Sequence, residues 1–287
     1  MIHFFFFRPL ACTRALIVLA LSAATLSTTT HALPVASPVP GGIAQVRLAA
    51  TSGSTATPRA FLGEQPVWVV SEGGYWTAII GLALDIQPGT HDLRINDGKE
   101  EKTIHFQVNA KQYPEQRITL KDSGKVNLSA ANEARAEKEI AMIQHLKKHW
   151  REATDTDSDF LLPAEGRLSS RFGLRRYFNG EPRSPHSGLD LAVGRGTSLK
   201  AVARGRILAV DDYFFNGKTV FIDHGNGLIN MYCHLDRVDV QAGDHVAKGQ
   251  PIGLSGMTGR ASGPHLHWGV ILNGVMVNPE LFLKRVP

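Results

Sequence analysis

Four histidines and one aspartate in the second half of the chain are the residues whose types and spacing could do chemistry. They form three short motifs: His186-x-x-x-Asp190, His234 alone, and His265-x-His267. Imidazole nitrogens and carboxylate oxygens are ligands that a borderline cation such as Zn²⁺ accepts. Imidazole also titrates near neutral pH and can therefore carry protons in catalysis. Together the motifs could supply both a metal site and an acid–base pair.

The spacing within the motifs limits how they can fold. On an extended strand, His265 and His267 point to one face, about 7 Å apart along the chain. A straight strand would hold His186 and Asp190 about 13 Å apart, which is too far to share one ion. Gly188 lies between them and is the residue that could let the chain bend. We therefore expect a departure from straight strand geometry at Gly188 if His186 and Asp190 act together.

Each motif also has an ordinary structural interpretation when it is taken alone. A His-x-His pair is common in β proteins, Asp190 could accept only backbone hydrogen bonds in a surface turn, and His234 could be a partly buried structural residue. By strand alternation His234 faces away from Cys233, which argues against a shared Cys-His metal site. Two further histidines in this half are predicted to lie outside any site, His224 as a structural turn residue and His245 as an exposed one.

Together the three motifs resemble the LytM/lysostaphin-type zinc endopeptidases, which cut peptide bonds in bacterial peptidoglycan. The resemblance covers roughly residues 166–280, and all five polar residues of the pattern are present in the right order. It also includes three flanking sequences: Ser170-Arg171-Phe172-Gly173, Thr258-Gly259 and Gly263-Pro264. Members that have lost activity typically lack one or more of the ligands, so the full set indicates a working enzyme.

The resemblance implies one Zn²⁺ per chain, with His186, Asp190 and His267 as ligands and with His234 and His265 as the catalytic pair. Three protein ligands leave a fourth position for water, which is typical of a catalytic zinc. One histidine of the pair could take the proton of that water, and the other could stabilise the oxyanion. The implied function is an exported zinc metalloendopeptidase that hydrolyses the peptide cross-links of peptidoglycan.

Other mechanisms find less support in the sequence. No glutamate lies in a His-Glu-x-x-His motif, and neither a Gly-x-Ser-x-Gly elbow nor a phosphate-binding loop is present. An alternative of a different class is a non-catalytic wall-binding or amidase-activating protein that keeps the fold and uses the groove for recognition. A further alternative is a zinc endopeptidase that acts on proteins rather than on wall peptides.

Composition divides the chain into five segments. Residues 1–32 are predicted to be a signal peptide and residues 33–42 a Pro-rich linker. Residues 43–120 should form a small antiparallel β domain, residues 121–160 a connecting helix and linker, and residues 161–287 the zinc endopeptidase domain. The predicted fold class is mainly β, with the C-terminal domain an antiparallel β-sheet of the LytM type that carries a substrate groove.

Hydrophobic periodicity predicts the elements of the first half. The sequence Asn96-Asp97-Gly98 indicates a hairpin, and Ser129 is predicted to cap a helix that reaches about Trp150. Strand-like runs occur at Ile43–Leu48, Val67–Val70, Trp76–Leu82, His91–Ile95, Thr103–Val108 and Arg117–Leu120. One apolar stripe is expected along the helix, formed by Ala136, Ile140, Ile143, Leu146 and Trp150.

Charge and the first residues favour export. The 287 residues carry a net charge of +5, and removal of Arg8 and Arg14 with the signal peptide lowers it to +3. This balance, with basic clusters such as Arg175-Arg176, suits an anionic polymer like peptidoglycan and is too weak to indicate nucleic acid. The apolar run after Arg14 is about a dozen residues, short of the roughly 20 of a spanning helix, so no span is expected after cleavage.

Localisation and partners follow from this reading. Periplasm is the favoured compartment, with secretion or wall association as the alternative. The N-terminal β domain is expected to place the enzyme on the wall, to bind a regulatory protein, or to cover the groove. His91 and His105 lie alone in strand-like runs of that domain and are predicted to be structural.

Overall fold

The computed structural model describes residues 1–3, 33–51, 56–98, 100–118, 129–178 and 180–284. The predicted signal peptide lies almost entirely outside these residues, and so does the end of the strand predicted to reach Leu120. From Leu33 onward the described residues form one compact unit. Within the described ranges, no helix is long and apolar enough to cross a membrane.

The first half of the chain forms a six-stranded antiparallel sheet, as its β-branched and aromatic runs predict. The strands are β1 (Ile43–Ala50), β2 (Arg59–Leu62), β3 (Gln65–Glu72), β4 (Tyr75–Gly81), β5 (Gly89–Asn96) and β6 (Glu101–Val108). Their order in the sheet is β1-β4-β3-β2-β5-β6. The predicted hairpin is confirmed, because Asn96 pairs with Glu101 and Gly98 has a φ of 86°. The short strand β2 was not anticipated from the sequence.

The helix α1 (Ala130–Lys147) begins where the capping residue predicts. The Ser129 hydroxyl accepts a hydrogen bond from the Asn132 N–H at 3.4 Å. Ala136 is buried as expected, but Ile140 is 47% exposed, so the predicted continuous apolar stripe is wrong at that position. Only one side of the helix packs against the C-terminal sheet, so some of its apolar residues remain exposed to solvent.

The second half forms a ten-stranded antiparallel sheet and contributes two strands to a smaller three-stranded one, which confirms the mainly β prediction. The strands of these two sheets, which are followed by a 3₁₀ helix (Pro279–Phe282), are β7 (Glu115–Ile118), β8 (Arg167–Ser170), β9 (Arg175–Phe178), β10 (Glu181–Pro182), β11 (Leu189–Ala192), β12 (Ser198–Lys200), β13 (Gly205–Tyr213), β14 (Gly217–Gly225), β15 (Leu228–Val238), β16 (His245–Val246), β17 (Pro251–Ser255), β18 (Leu266–Leu272) and β19 (Val275–Val277). The order of strands in the small sheet is β10-β9-β7. In the large sheet seven strands follow the order β16-β13-β14-β15-β18-β11-β8, while β17 pairs with β12 and β15, and β19 pairs with β18.

The small sheet joins the two halves of the chain. Strand β7 leaves the N-terminal sheet and pairs in parallel with β9, with Gln116 opposite Arg176. Tyr113, two residues before the start of β7, donates its hydroxyl to the Pro40 carbonyl at 2.8 Å and packs edge-on against Phe172. The start of the second half is therefore supported by backbone and side chains of the first.

The large sheets share a hydrophobic core. Ile43, Trp68 and Ile79 of the N-terminal sheet belong to the same buried cluster as Trp268 and Tyr232 of the C-terminal sheet. A second and smaller cluster lies within the N-terminal sheet alone. Burial of these apolar side chains is the main stabilising contribution to both sheets.

A buried amide links the two sheets directly. The Asn273 side chain accepts a hydrogen bond from the Gly81 N–H at 2.6 Å and donates one to the Gly81 carbonyl at 3.1 Å. Asn273 occupies the left-handed region with a φ of 41°, in the tight turn between β18 and β19. Gly81 is required on the other side, because a Cβ there would lie 2.6 Å from the Leu272 carbonyl oxygen.

Both predicted linkers pack on the sheets. In the segment 33–42, the Val35 N–H donates to the Leu281 carbonyl at 2.7 Å. In the segment 152–159, the Ala153 N–H donates to the Asn226 side chain, which in turn donates to Thr156 at 2.9 Å. These segments therefore have fixed places against the C-terminal sheet.

Candidate metal centre

Neighbouring strands bring Asp190 and His267 together. Asp190 in β11 is the direct cross-strand partner of His267 in β18. Asp190 Oδ1 lies 2.8 Å from His267 Nδ1 and 2.9 Å from His186 Nε2, and the two ring nitrogens are 3.1 Å apart. One potential ligand atom from each residue therefore faces the same point, and all three lie within 4.8 Å of one another.

Gly188 makes this convergence possible by its lack of a side chain. A Cβ at Gly188 would lie 2.8 Å from His267 Nε2 and 2.5 Å from the Trp268 carbonyl oxygen. The chain between His186 and Asp190 passes over the His267 ring, and it brings His186 Nε2 to 2.9 Å from Asp190 Oδ1. The chain bends at Gly188 before β11 begins at Leu189, as the sequence predicts.

The backbone fixes the orientation and the tautomer of the His186 ring. His186 Nδ1 lies 2.8 Å from the Arg171 carbonyl oxygen, and a carbonyl can only accept, so Nδ1 carries the hydrogen. In neutral His186, Nε2 then has a lone pair that points at Asp190 and His267. This hydrogen bond to the ring nitrogen remote from the site is the arrangement found in metal-ligating histidines.

Asp190 is held from its second oxygen by Arg176. The Arg176 guanidinium lies 3.5 Å from Asp190 Oδ2 and donates to the Ser170 hydroxyl at 2.8 Å. Ser170 in turn lies 3.3 Å from His186 Nδ1. The sequence interpretation of Arg175-Arg176 as a basic cluster is wrong for Arg176, because that side chain is directed at Asp190, whereas Arg175 pairs with Glu115.

The donor set fits a divalent cation. Lone pairs of His186 and Asp190 face each other at hydrogen-bond distance, and His267 adds a third nitrogen that is also in contact with both. Such a group of acceptors repels unless a cation or a shared proton lies between them. Two imidazoles and one carboxylate form a ligand set typical of catalytic zinc.

The electrostatics of Asp190 and His267 favour the metal-binding protonation states of these two residues. Burial alone would raise the pKa of Asp190, but the neighbouring His186 and His267 rings hold that pKa well below its ordinary value. Burial lowers the pKa of His267 and therefore favours its neutral form, despite the nearby Asp190 charge. An ionised carboxylate and neutral imidazoles are the forms that bind metals.

His234 reaches the same site from a bulged strand. Within β15, Cys233 pairs with His267 of β18, whereas Leu235 pairs with Ser255 of β17, so the strand changes partner at His234. His234 has a φ of 65°, which is rare for a residue with a side chain and typical of functional positions. A bulge of this kind redirects a side chain. Cys233 stays in the core on the opposite side, as strand alternation predicts.

The second candidate catalytic histidine lies beside His234. The rings of His234 and His265 are 4.7 Å apart, and His265 Nε2 is 4.0 Å from Asp190 Oδ1. His234 Nδ1 donates to the Thr258 carbonyl at 2.8 Å, and His265 Nδ1 donates to the Gly263 carbonyl at 2.8 Å. When neutral, both rings therefore present an unprotonated Nε2. Burial lowers the pKa of His234 to about 4, so this ring is neutral at pH 7.

The structure thus brings together all five residues that the motifs single out, and the other histidines of the described ranges lie elsewhere. His224 is buried in β14 rather than in a turn, so that part of its prediction is wrong, and His245 is exposed. His91 and His105 lie on the N-terminal sheet, where no cluster of three or more ligands occurs among the described residues.

Sequence reasoning missed the groups that orient the site. These are backbone carbonyls of Arg171, Thr258 and Gly263, together with the Arg176 side chain. Backbone groups leave no trace in residue types. The only available signal was that the three carbonyls belong to the short sequences that flank the histidine motifs.

Two family models match the chain. The model for peptidase family M23 matches residues 184–279, which contain all five site residues. The model for the peptidase family M23 N-terminal domain matches residues 36–111, which contain the six-stranded sheet.

A solved structure resembles nearly the whole chain. The crystal structure of a Pseudomonas aeruginosa protein assigned to peptidase M23 aligns with a TM-score of 0.72 and 37% sequence identity. The alignment covers 86% of the present chain and 95% of the other, so it includes both sheets.

Two curated proteins are similar to part of the chain. Peptidoglycan DD-endopeptidase ShyA of Vibrio cholerae is 41% identical over 113 residues, which cover 39% of the present chain and 26% of ShyA. Murein hydrolase activator EnvC of Escherichia coli is 31% identical over 177 residues, which cover 54% of the present chain and 42% of EnvC. The matches therefore span less than half the length of either relative.

Proposed function

The chain belongs to peptidase family M23. We propose that it is an exported zinc metalloendopeptidase that hydrolyses the peptide cross-links of bacterial peptidoglycan. One observation carries the proposal: three ligand atoms and two further imidazoles from separate parts of the chain converge on one point. The names of relatives such as ShyA supply the substrate class.

In the proposed site, His186, Asp190 and His267 would hold one Zn²⁺. When bound with three protein ligands, Zn²⁺ supplies Lewis acidity, which polarises a carbonyl and lowers the pKa of water to about 7. The chain contributes the orientation of its ligands. The Arg171 carbonyl fixes the His186 ring, and Arg176 leaves Asp190 Oδ1 directed at the other two ligands.

His234 and His265 form the proposed acid–base pair. Because each ring donates its Nδ1–H to a backbone carbonyl, each Nε2 is available to accept or return a proton. One of them takes the proton of the attacking water and passes it to the leaving amine. The other stabilises the oxyanion of the tetrahedral intermediate by a hydrogen bond.

The substrate binds as an extended peptide in this proposal. Asp190, His234 and His267 lie on the neighbouring strands β11, β15 and β18, and His186 and His265 lie in the segments that lead into β11 and β18. In this proposal the peptide lies across these three strands. Peptidoglycan is a polyanion, which matches the net positive charge of the chain. Its location in the cell wall requires export, for which the predicted signal peptide provides the route.

A second candidate function is activation of another wall hydrolase without catalysis. The similarity to EnvC, which extends over 177 residues, favours it. The presence of all five polar residues in one constellation favours the peptidase, since binding alone does not require them.

Hydrolysis of purified sacculi separates these functions. We expect the zinc-loaded full chain to release soluble peptide-linked fragments with new amino termini, to leave casein intact, and to stop on addition of a chelator. Casein cleavage would point instead to a general protein endopeptidase. If the chain by itself does not cut sacculi but stimulates an added amidase, the activator function would be supported.

A further inference from the structure

A loop beside the proposed catalytic pair carries an arginine that the mechanism does not use. Arg260 lies between β17 and β18, two residues after Thr258 and five before His265. The Thr258 carbonyl accepts the hydrogen bond that orients His234. Arg260 is therefore close along the backbone to both proposed catalytic histidines.

The backbone of this loop is firmly anchored. The Arg260 N–H donates to the Phe215 carbonyl at 2.9 Å, and the next residue, Asn216, accepts a hydrogen bond from the His234 N–H at 2.8 Å. Gly259 packs so closely that a Cβ would lie 2.3 Å from the Gly217 nitrogen. The loop of Arg260 and the loop of Phe215 thus hold His234 between them, which limits where Arg260 can point.

The Arg260 guanidinium is stacked but not neutralised. Its central carbon lies 4.1 Å from the centroid of the Phe215 ring. Stacking covers one face of the planar group and leaves its edge N–H groups free for in-plane hydrogen bonds. Among the described residues, no carboxylate lies within ion-pair distance of Arg260. Other arginines of this half do have such partners: Arg171 with Glu280, Arg176 with Asp190, Arg183 with Glu181, and Arg195 with Asp236.

The surroundings of Arg260 make its positive charge less favourable than in water. Burial of the guanidinium and the charge of Arg183 both lower the pKa of Arg260. Arg260 remains accessible to solvent, so an anion can reach its edge. An anionic group bound there would relieve the unfavourable positive charge.

We propose that Arg260 is a carboxylate-binding residue of the substrate groove, which uses its stacked guanidinium to hold a free carboxylate of the peptide being cleaved. The proposal rests on the proposed peptidase function and adds a specificity determinant to it. A guanidinium edge and a carboxylate can form two parallel hydrogen bonds, which fixes the direction of the bound peptide as well as its charge.

The test compares two soluble substrates: a cross-linked peptide dimer with free carboxylates, and the same dimer with these carboxylates converted to amides. KM and kcat are measured for the zinc-loaded full chain and for Arg260→Gln and Arg260→Lys. The matched control is Arg47→Gln, because Arg47 is also exposed and stacks on a ring, Tyr75, at 4.3 Å, but lies on the N-terminal sheet.

We expect wild type and the Arg47→Gln control to favour the acidic dimer over the amidated one by roughly 10–100-fold in KM, the range for a hydrogen bond to a charged group. Arg260→Gln should lose this preference because its KM for the acidic dimer increases, whereas its kcat and its KM for the amidated dimer stay unchanged. Arg260→Lys should restore part of it. An equal effect on both dimers, or none, would overturn the proposal.

Equilibrium binding keeps this test independent of catalysis. The two dimers, each fluorescently labelled, are titrated against the zinc-loaded full chain, and fluorescence anisotropy reports Kd. If wild type hydrolyses neither dimer, the proposed function fails, yet an Arg260-dependent preference for the acidic dimer would still support the binding site. Hydrolysis without a preference that depends on Arg260 would overturn this inference alone.

Discussion

Each half of the molecule contains a histidine in contact with an aspartate, and the two pairs differ in their surroundings. In the N-terminal sheet, His105 Nδ1 lies 2.7 Å from Asp92 Oδ1, and both side chains are more than two-thirds exposed. In the C-terminal sheet, His186 Nε2 lies 2.9 Å from Asp190 Oδ1, with side-chain exposures of 6% and 12%. The distances are alike, so the contact itself does not make a site.

The surroundings of the buried pair supply what the exposed pair lacks. A third ligand, His267, completes the cluster, the Arg171 carbonyl orients one ring, and Arg176 holds the outer carboxylate oxygen. Burial strengthens each of these interactions because there is less solvent to screen them. An exposed ion pair of the His105–Asp92 type contributes about 1 kcal/mol or less.

Replacement of the aspartate in each pair should give the largest difference between the two pairs in zinc content and in activity. We expect Asp190→Asn to lower zinc content and to reduce hydrolysis of sacculi by about 10³-fold or more, because metal charge stabilisation is worth several kcal/mol. Asp92→Asn should leave both unchanged. Zinc content and fragment release are measured on both variants, and comparable losses in the two would remove the distinction between the pairs.

The link between the sheets is tested at Asn273. Replacement by Gly keeps the left-handed backbone accessible and removes only the side-chain amide. Because the N–H and the carbonyl of Gly81 then lose their buried partner, we expect the free energy of unfolding to fall by about 1–3 kcal/mol for each group. Chemical denaturation measures this, and a loss below about 0.5 kcal/mol would show that the amide does not couple the sheets.

The role of the outer carboxylate oxygen is tested at Arg176. Arg176→Gln should reduce activity by about 10–100-fold with zinc retained, since the partner that orients Asp190 is lost. Arg175→Gln is the control, because this neighbouring arginine pairs with Glu115 away from the ligands. Turnover of sacculi and zinc content are compared. Equal activity of the two variants would contradict a positioning role for Arg176.

The smallest expected effect concerns His224, a buried histidine outside the site. Its Nδ1–H donates to the Arg204 carbonyl at 2.6 Å, and burial lowers its pKa below the ordinary 6.5. The unfolded chain therefore binds this proton more readily than the folded one. The resulting stability is complete above pH 6.5 and is lost as the pH falls below it toward the folded pKa.

Denaturation between about pH 7.5 and 5 with a chelator present measures this contribution. His224→Gln should show a weaker decrease of the free energy of unfolding with falling pH than wild type. Identical pH dependence in the two proteins would contradict the assignment.

The sequence predicted which side chains form the site better than it predicted the groups that hold them in place. Side-chain alternation is a local property, so it correctly separated Cys233 from His234 and grouped His265 with His267. The exposure of Ile140 depends on what packs against the helix, and helical periodicity carries no information about that.

Some of the interactions that hold the two halves together depend on long-range pairing and leave no local pattern in the sequence. The parallel pairing of β7 with β9 joins residues about 60 positions apart, and the Asn273 bonds to Gly81 span 192 positions. Asn273 and Gly274 are residue types that favour the left-handed conformation of this turn, which is a local property. The second role of Asn273 as a bond between sheets follows only from the tertiary structure.

The central claim separates ligands from catalytic residues, and zinc content measured together with hydrolysis of sacculi tests it most directly. For wild type we predict about one zinc per chain and release of soluble fragments, consistent with a three-ligand site. His186→Ala should lose both zinc and hydrolysis, whereas His234→Ala should keep its zinc and lose hydrolysis. Loss of zinc in His234→Ala, or full hydrolysis by either variant, would contradict the assignment.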